Sequence, residues 1–285
     1  MSIKIENLTH IYNKGLSYET VALDNVSLTI EDREFVGIIG HTGSGKSTLI
    51  QHINGILKPD KGSIVINGTD ITDKNVRMSD IRKRVGLVFQ YPEYQLFEDT
   101  VEKDIAFGPT NMELTPEEID SRVRESMELV SLDYDEFAGR SPFELSGGQK
   151  RRVAIAGVIA MKPDVLILDE PTAGLDPKAH KDIINMLLTL HDMTDCNIIL
   201  VSHNMEDVAE IADKIIVMHN GSIFAQGSPR EIYKERDRLL EIGLEIPQAM
   251  LFMKKLEEKG VRINSDVMTM DEAVREVEML MRKKI

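Results

Sequence analysis

Short, almost unbroken runs of apolar residues recur along the chain and predict strands that are buried on both faces. They lie at residues 35–39, 85–89, 165–168 and 198–201. Strands of a parallel sheet that is covered by helices on both sides have this composition, because neither face meets water. The runs therefore predict the core of an α/β protein.

Two other regions show different β patterns. Apolar and polar residues alternate at residues 3–8 and 26–30, which predicts strands with one face toward solvent. Later in the chain, the segments 214–218 and 222–225 flank an Asn-Gly pair, which favours a tight hairpin turn. We expect an antiparallel β region at the N-terminus and a hairpin after the last core strand.

The segment from about residue 91 to residue 161 has a helical period instead. Thr115 and Glu118 have the spacing of a capping box, and Pro116 occupies the first helical position. A segment of this length is too long to be an ordinary connection between two buried strands. It predicts an α-helical subdomain that is inserted into the core.

Residues 231–285 are charged, have a helical period and contain no strand pattern. They form either an interaction segment or a helical cover on the core. We therefore predict two domains, 1–230 and 231–285. The expected fold is a mixed-sheet α/β core with an N-terminal antiparallel β region, the inserted α-helical subdomain and a small helical C-terminal extension.

Composition and charge indicate the compartment in which the protein works and exclude some classes of partner. The net charge of −14 argues against nucleic acid as a partner, because phosphate backbones are bound by surplus Lys and Arg. Cys196 is the sole cysteine of the 285 residues, so the chain has no internal disulfide. The apolar runs are too short to span a bilayer, and the first residues lack a signal pattern. We expect a cytosolic protein that depends on other chains for any membrane span.

One glycine-rich stretch predicts a phosphate-binding loop. It fits G-x-x-x-x-G-K-[ST] and lies between a predicted strand and a predicted helix, the context that the motif requires. Glycine lets the backbone N–H groups turn toward phosphate, Lys46 adds charge, and the Ser47 hydroxyl is suited to Mg²⁺. The alternative is a chance glycine-rich turn. The residues predicted to contact nucleotide here are Gly40, His41, Thr42, Gly43, Ser44, Gly45, Lys46, Ser47 and Thr48.

A second glycine-rich stretch, Leu-Ser-Gly-Gly-Gln at 145–149, also precedes a predicted helix. Ser146 and Gln149 have capping-box spacing, and a helix N-terminus attracts anions. Lys150, Arg151 and Arg152 enrich the region in positive charge. The stretch is either a second anion site or only a well-capped helix.

Polar side chains follow the predicted core strands at the point where each strand ends, which is where ligands bind in open α/β sheets. Asp169 is suited to the Mg²⁺ shell, and Glu170 to orienting or deprotonating a water. Gln90 could contact the metal or the water, and His203 could bond the γ-phosphate. Tyr12, in a polar connection between two strands, is either a stacking partner for the nucleobase or a packing residue.

Together these motifs resemble, in order and spacing, an ABC-type ATPase domain, a P-loop NTPase of RecA-like fold. The resemblance covers about residues 2–229. Gly40–Ser47, Gln90, Leu145–Gln149, 165–170, 173–176 and His203 are similar to the Walker A, Q-loop, signature, Walker B, D-loop and H-loop motifs.

The resemblance implies that two such domains pair head to tail with ATP between them. The phosphate loop of one then faces the signature helix of a second ATPase subunit, which is either the same chain or a paralogue. Lys46 and the signature would neutralise the γ-phosphate, and Glu170 would be the general base. Ser47, Gln90 and Asp169 would organise Mg²⁺, with His203 on the γ-phosphate. The remaining expected nucleotide contacts are Tyr12, Leu145, Ser146, Gly147, Gly148, Gln149 and Asp176.

A narrower resemblance rests on residues 88–97, 100–101, 104–109 and 243–247. These stretches are similar to the ATPase subunits of energy-coupling factor transporters, including the cobalt and nickel members. The resemblance implies a peripheral subunit on the cytoplasmic face of the cell membrane that energises import of a vitamin or transition-metal ion. Its partners would be a transmembrane coupling subunit and a substrate-binding membrane subunit.

In this resemblance the region from Gln90 to Pro109 connects the nucleotide site to the membrane. A pocket beside the helical subdomain would receive a helix of the coupling subunit. Glu93, Glu98 and Asp99 give the region acidic character, which suits a basic partner, although they could equally be ordinary surface residues.

Three other functions compete with this one. The first is the ATPase of a conventional importer fed by a soluble binding protein, against which the stretch 91–109 argues. The second is a soluble ABC ATPase acting on DNA or in assembly. Its DNA-working forms would require a long coiled coil between the two glycine-rich loops, and the sequence has no sustained heptads there. The third is a nucleotide-binding scaffold, which Glu170 and His203 oppose.

Overall fold

The structure is a computed structural model that describes residues 2–264 and 267–282. Its strands are β1 (Ile3–Tyr12), β2 (Thr20–Ile30), β3 (Phe35–Gly40), β4 (Lys61–Ile66), β5 (Thr69–Asp70), β6 (Val85–Val88), β7 (Val165–Asp169), β8 (Asn197–Val201), β9 (Lys214–His219) and β10 (Ser222–Gly227). Its α-helices are α1 (Lys46–Ile53), α2 (Met78–Arg84), α3 (Val101–Asn111), α4 (Pro116–Leu129), α5 (Tyr134–Phe137), α6 (Gly147–Ile159), α7 (Pro177–Met193), α8 (Met205–Ile211), α9 (Pro229–Lys234), α10 (Arg236–Glu241), α11 (Gln248–Glu258) and α12 (Met270–Arg282).

The central sheet contains the strands that the apolar runs predicted. Its order among the described residues is β10-β9-β3-β8-β7-β6. β9, β3, β8, β7 and β6 run parallel, and β10 pairs antiparallel with β9. Every residue of β3 and of β8 is buried, in agreement with their apolar composition. Because β3, β7 and β8 are parallel, the residues that follow them meet at one edge of the sheet.

The N-terminal strands form a second sheet, of order β2-β1-β4-β5, whose pairs are all antiparallel. Its buried face shares a core with α1 and one face of the central sheet; Ile5, Leu28 and Ile64 belong to the same buried cluster as Val36 and Leu49. This arrangement confirms the predicted antiparallel region and holds β1 and β2 beside the loop that follows β3.

The position predicted for Tyr12 was wrong in one respect. Tyr12 is the last residue of β1 and pairs with Thr20 of β2, so it does not lie in the connection between the strands. Alternation is weak at this end of β1 because the register shifts repeatedly between Ile5 and Ile11. The strand therefore extends further than its apolar pattern indicates.

The segment between β6 and β7 is helical and contains α3 to α6 with two short 3₁₀ turns. Ile105, Met127 and Val153, on three of these helices, pack into one core that continues under the central sheet. The predicted capping box at the start of α4 is present, since Thr115 and Glu118 bond each other's backbone N–H groups. α6, which begins with the second glycine-rich stretch, is thus attached to the sheet through its apolar side.

The C-terminal helices cover the core, which is one of the two alternatives that the sequence left open. Tyr233, Leu244 and Met250 are buried in a cluster with Ile39 of β3 and Val217 of β9. The predicted boundary at residue 230 lies at the start of α9 and stays a prediction. No helix in the described ranges is both long and apolar enough to cross a membrane.

Candidate functional site

A cavity of about 830 Å³ opens at the edge of the central sheet where β3, β7 and β8 end. Its wall combines the glycine-rich loop after β3, the ends of three core strands, the start of β2 and a turn from the C-terminal segment. The lining residues are Tyr12, Thr20, Val21, Ala22, Gly40, His41, Thr42, Gly43, Gly45, Lys46, Ser47, Thr48, Gln90, Asp169, Glu170, His203, Met205, Gly243, Leu244 and Glu245. The cavity therefore collects most of the side chains that were predicted for one phosphate site.

Close backbone approach explains the glycines of the loop. A Cβ atom on Gly40 would lie 2.3 Å from the carbonyl oxygen of Met218, and one on Gly45 would lie 2.6 Å from that of Ala22. Gly45 also has φ of +102°, in the region that disfavours other residues. Lys46 begins α1 directly afterwards, so the positive end of the helix dipole meets the cavity.

The ammonium of Lys46 folds back over the loop. It donates hydrogen bonds to the carbonyl oxygens of Gly40, at 2.6 Å, and of His41, at 2.8 Å. Burial lowers the pKa of Lys46, while the carboxylates of Glu170 and Asp169 act in the opposite direction. A cation that is partly desolvated and donates to neutral carbonyls is ready to exchange them for the oxygens of an anion.

Ser47 and Asp169 form the pair best suited to a metal ion. The Ser47 hydroxyl donates to Asp169 Oδ2 at 3.2 Å. Burial raises the pKa of Asp169; the bond from Ser47 opposes this, and the nearby Glu170 carboxylate reinforces it. A bound cation would relieve the cost of this buried charge. Hydroxyl and carboxylate oxygens, with the Gln90 side chain on the same wall, fit Mg²⁺.

Glu170 and His203 face each other at the next position along the edge. His203 Nδ1 lies 2.7 Å from Glu170 Oε2. The Glu170 side chain is 13% exposed and that of His203 is 73% exposed. The Glu170 N–H donates to the carbonyl oxygen of Val201 at 2.9 Å, which ties the strand end of β7 to β8. The Glu170 backbone is therefore fixed between two strands, its buried Oε2 has no hydrogen-bond partner among the described residues, and the imidazole remains accessible to a ligand.

Tyr12 is one of the exposed residues that line the cavity. Its hydroxyl is 3.3 Å from Thr48 Oγ1, and its ring makes an edge contact with His10 at a centroid distance of 4.5 Å. Both of the roles that the sequence left open fit this position, since the ring packs on one side and borders the cavity on the other. Nucleobase stacking stays a prediction.

The second glycine-rich stretch lies elsewhere. Ser146 caps α6, with its Oγ accepting from the Gln149 N–H and the Gln149 side chain accepting from the Ser146 N–H. Asp176 caps α7 by accepting from the N–H groups of Lys178 and Ala179. Among the described residues that line the cavity, none belongs to Leu145–Gln149, and Asp176 is absent as well. Ser44, within the phosphate loop, is buried and is absent from the described lining of the cavity.

The positive charge expected beside this stretch is only partly available. Arg151 is 1% exposed and makes a two-pronged ion pair with Glu93, with its Nη2 2.8 Å from Glu93 Oε1. It also donates to the carbonyl oxygens of Pro171 and Ala173, each at 2.8 Å. The prediction that Arg151 adds positive charge to this region was therefore wrong. Its guanidinium is buried and paired with Glu93 and two backbone carbonyls, so it is not available to an external anion.

A second groove of about 780 Å³ borders the helical subdomain. Its apolar wall includes Phe97 and Phe107, whose rings meet edge to face at 5.0 Å. The expected acidic lining was wrong: Glu93 is paired with Arg151, and Glu98 and Asp99 lie outside the wall. The charged residues that do line the groove are Arg82, Lys83 and Asp104.

Sequence reasoning missed several residues of the main cavity, namely Thr20, Val21, Ala22, Met205, Gly243, Leu244 and Glu245. The start of β2 carries no motif. The stretch that begins at Gly243 was noted for its family resemblance, but nothing in its sequence indicates contact with a loop two hundred residues away. His41 Nε2 bonds the carbonyl oxygen of Ile242, and this contact arises only in the folded chain.

Comparison with known proteins agrees with this geometry. The family model described as ABC transporter matches residues 23–173. An energy-coupling factor transporter ATP-binding protein of Clostridioides difficile is 59% identical over 283 residues, covering 99% of this chain and 98% of the relative. A protein of the same description from Caldanaerobacter subterraneus is 62% identical over 273 residues, with 96% and 95% covered.

Solved structures give the same result. The structure of cbiO1 from Clostridium perfringens, described as part of the ABC transporter complex cbiONQ, superposes with a TM-score of 0.76 at 37% identity, covering 88% of this chain and 98% of that one. A dimeric ATP-binding cassette in a post-hydrolysis state with ADP and Pi has a TM-score of 0.71 at 30% identity, with 80% and 98% covered. The chain therefore belongs to the ABC transporter ATPases, within the group of energy-coupling factor transporter ATP-binding proteins.

Proposed function

We propose that this chain binds ATP with Mg²⁺, hydrolyses it, and thereby energises an energy-coupling factor importer. The observation that carries the proposal is the convergence of Lys46, Ser47, Asp169, Glu170 and His203 on one cavity beside a glycine loop and a helix N-terminus. This set provides a positively charged hydrogen-bond donor, oxygen ligands for a metal ion and a candidate general base. Phosphoryl transfer requires little more than these groups in fixed positions.

The phosphate loop accounts for nucleotide binding. Backbone N–H groups of the loop and the start of α1 would bond the β- and γ-phosphates, and Lys46 would leave its two carbonyl partners to join them. Ser47, Asp169 and Gln90 would hold the metal. Mg²⁺ supplies charge neutralisation between the phosphates when it is bound. Tyr12 would border the nucleobase.

The acidic end of the cavity accounts for hydrolysis. Glu170 accepts a proton from water as the water oxygen attacks the γ-phosphorus, and the bond from that phosphorus to the oxygen of ADP breaks. His203 lies 2.7 Å from Glu170 and is largely exposed, so its ring can bond the γ-phosphate while the carboxylate orients the water. General base catalysis of this kind contributes about 10²- to 10⁴-fold to rate.

The cavity does not account for all of the predicted contacts. Leu145–Gln149 presents a capped helix N-terminus outside its described lining, and Asp176, which caps α7, is absent from that lining as well. We propose that a second ATPase subunit, the same chain or a paralogue, supplies its own copy of these residues to this γ-phosphate. ATP would then close a head-to-tail dimer; the solved cassette with ADP and Pi is described as dimeric, which supports pairing of two such domains.

The groove beside the helical subdomain is our proposed contact with a transmembrane coupling subunit. Its wall combines aromatic and Met side chains with Arg82, Lys83 and Asp104, which suits an amphipathic helix of mixed charge rather than a purely basic one. The 3₁₀ turn Pro92–Gln95 leads from Gln90 to this wall. The chain would act peripherally on the cytoplasmic face, with a further membrane subunit binding a vitamin or transition-metal ion.

Replacing Glu170 with Gln tests the enzymatic part. The amide cannot take a proton from water, so steady-state ATP turnover should fall at least about 100-fold, the lower range for loss of a general base. ATP affinity should stay within about twofold, since the phosphate contacts remain. Asp99→Asn, an equally conservative change on an exposed side chain, serves as the matched control. Undiminished turnover in the Glu170 variant would overturn the assignment.

A further inference from the structure

The C-terminal segment reaches into the nucleotide cavity. Gly243, Leu244 and Glu245 line its wall, next to the first residues of the phosphate loop. We infer that the turn Ile242–Glu245 is a positioning element for the phosphate loop and acts through His41. The inference rests on the proposed ATP-binding function. It adds to the ATP site a turn that lies outside the ATPase sequence motifs.

The contact with His41 is direct. His41 Nε2 bonds the carbonyl oxygen of Ile242, and because a carbonyl only accepts, this nitrogen carries the hydrogen. The ring also lies against the turn, since a Cβ on Gly243 would be 3.4 Å from His41 Cε1. The backbone carbonyl of the same His41 accepts from Lys46 Nζ at 2.8 Å. One residue thus links the turn to the lysine of the phosphate loop.

The turn is itself held firmly. Gly243 ends α10 with φ of +75°, and the N–H groups of Gly243 and Leu244 donate to the carbonyls of Leu240 and Leu239, each at 2.9 Å. This is the double bond pattern of a glycine helix cap. Leu244 and Ile246 are 5% and 2% exposed and belong to the cluster that contains Ile39, in the strand that feeds the loop. The Ile242 carbonyl therefore has a fixed position relative to β3.

The same segment contacts the other side of the cavity. The Tyr233 hydroxyl donates to the carbonyl oxygen of Met205 at 3.3 Å, and the Gln248 N–H donates to Glu206 Oε1 at 2.9 Å. Both partners lie in the first turn of α8, which begins two residues after His203. The segment thus contacts both the loop that would hold the β- and γ-phosphates and the start of α8, close in sequence to the residue that would hold the γ-phosphate. A loop that is ordered before the ligand arrives binds it at lower entropic cost.

Two variants test the inference in the full-length chain. Gly243→Ala forces a side chain into a left-handed position against His41, so KM for ATP should rise about three- to tenfold, the range of one hydrogen bond, while kcat changes less than about twofold. Gly260→Ala is the matched control. Gly260 has φ of +81°, caps α11 with the same bond pattern, and has nothing within 4 Å of an added Cβ. It should leave KM unchanged.

Changes at His41 separate positioning from general stability. His41→Leu removes the donor and should raise KM as Gly243→Ala does, whereas His41→Gln, which keeps an N–H donor, should restore at least half of the loss on a logarithmic scale. In a His41→Leu background, Gly243→Ala should add nothing further to KM, because both act through one contact. Additive effects, or equal KM for Gly243→Ala and Gly260→Ala, would overturn the inference while the wild-type chain still binds ATP. Failure of the wild-type chain to bind ATP would overturn the proposed function as well.

Discussion

Lys46 and Asp169 illustrate how single residues prepare the site for its ligand. Burial lowers the pKa of the lysine and raises that of the aspartate, so each is pushed toward its neutral form in the free chain. A nearby opposite charge favours the charged form of each residue: an anion would raise the pKa of Lys46, and a cation would lower that of Asp169. ATP with Mg²⁺ supplies both, which makes ligand binding and charge relief the same event.

Lys46→Ala tests the anion side of this account. Loss of a charged donor should weaken ATP binding by about 1.5–3 kcal/mol, or roughly 10- to 100-fold in Kd. A fluorescent ATP analogue titrated onto the purified chain measures this directly. Lys74→Ala, on the exposed surface, is the control and should bind as the wild type does. Equal affinities for both variants would contradict the phosphate-loop assignment.

A buried carboxyl, Asp207 on α8, is paired with His180 on α7. His180 Nε2, on α7, lies 2.8 Å from Asp207 Oδ1, on α8. Burial raises the pKa of Asp207 above its ordinary value of 3.8, and the bond from His180 only partly offsets this. Because the folded-state pKa is the higher one, the group stabilises the fold below about pH 4. That contribution is lost as the pH rises through the folded pKa.

Asp207→Asn should therefore have a pH-dependent effect. The variant lacks the ionisation, so its stability relative to the wild type should improve as the pH rises from about 4 to 7. Thermal unfolding of both chains across this range measures the difference. A stability difference that is the same at every pH would show that the carboxyl ionises alike in the folded and unfolded chain.

The ion pair of Arg151 and Glu93 connects α6 to the 3₁₀ turn after Gln90. Glu93→Ala leaves the buried guanidinium without a counter-charge and should destabilise the fold by about 3 kcal/mol. Asp99→Ala removes an exposed carboxylate of the same neighbourhood, whose side chain is 89% exposed, and should cost less than about 0.5 kcal/mol. Chemical denaturation compares the two. Similar losses would mean that Glu93 is the surface residue that the sequence alone suggested.

At the level of elements, the sequence predicted what depends on local pattern. The buried strands, the hairpin and the capping boxes at Thr115 and Ser146 follow from apolar runs and short-range spacing, and they are confirmed. The fate of Arg151 could not be predicted in this way. A charged residue after a glycine-rich turn is normally solvated, and only the approach of Glu93 and two carbonyl oxygens makes its burial tolerable.

At the level of the whole molecule, the fold class and the family were predictable because the motifs are contiguous and ordered. The convergence of Ser47, Asp169 and His203 followed from parallel strands ending at one edge. The turn at Gly243 was not predictable, since it depends on how the C-terminal helices pack against β3. Tyr12 was predicted in part. Its position near the phosphate loop was expected, but its place as the last residue of β1 was not.

In the proposed function this cavity is half of an ATPase site, and the stretch at Ser146 completes the site of a neighbouring subunit. Ser146→Asp keeps a good helix cap but brings a negative charge toward the partner's γ-phosphate. Ser146→Thr keeps the cap without the charge and is the matched control. Both variants leave the residues of the chain's own cavity unchanged.

The decisive measurement is ATP turnover by the assembled ATPase pair, taken together with ATP affinity of the single chain. For Ser146→Asp we predict that ATP turnover falls about 100-fold or more, as when an enzyme loses a hydrogen-bond donor to the transition state. The affinity of the single chain for ATP should stay within about twofold of wild type. Ser146→Thr should alter both by less than about threefold. Unchanged turnover in Ser146→Asp, or a loss of affinity as large as that of Lys46→Ala, would contradict the shared site.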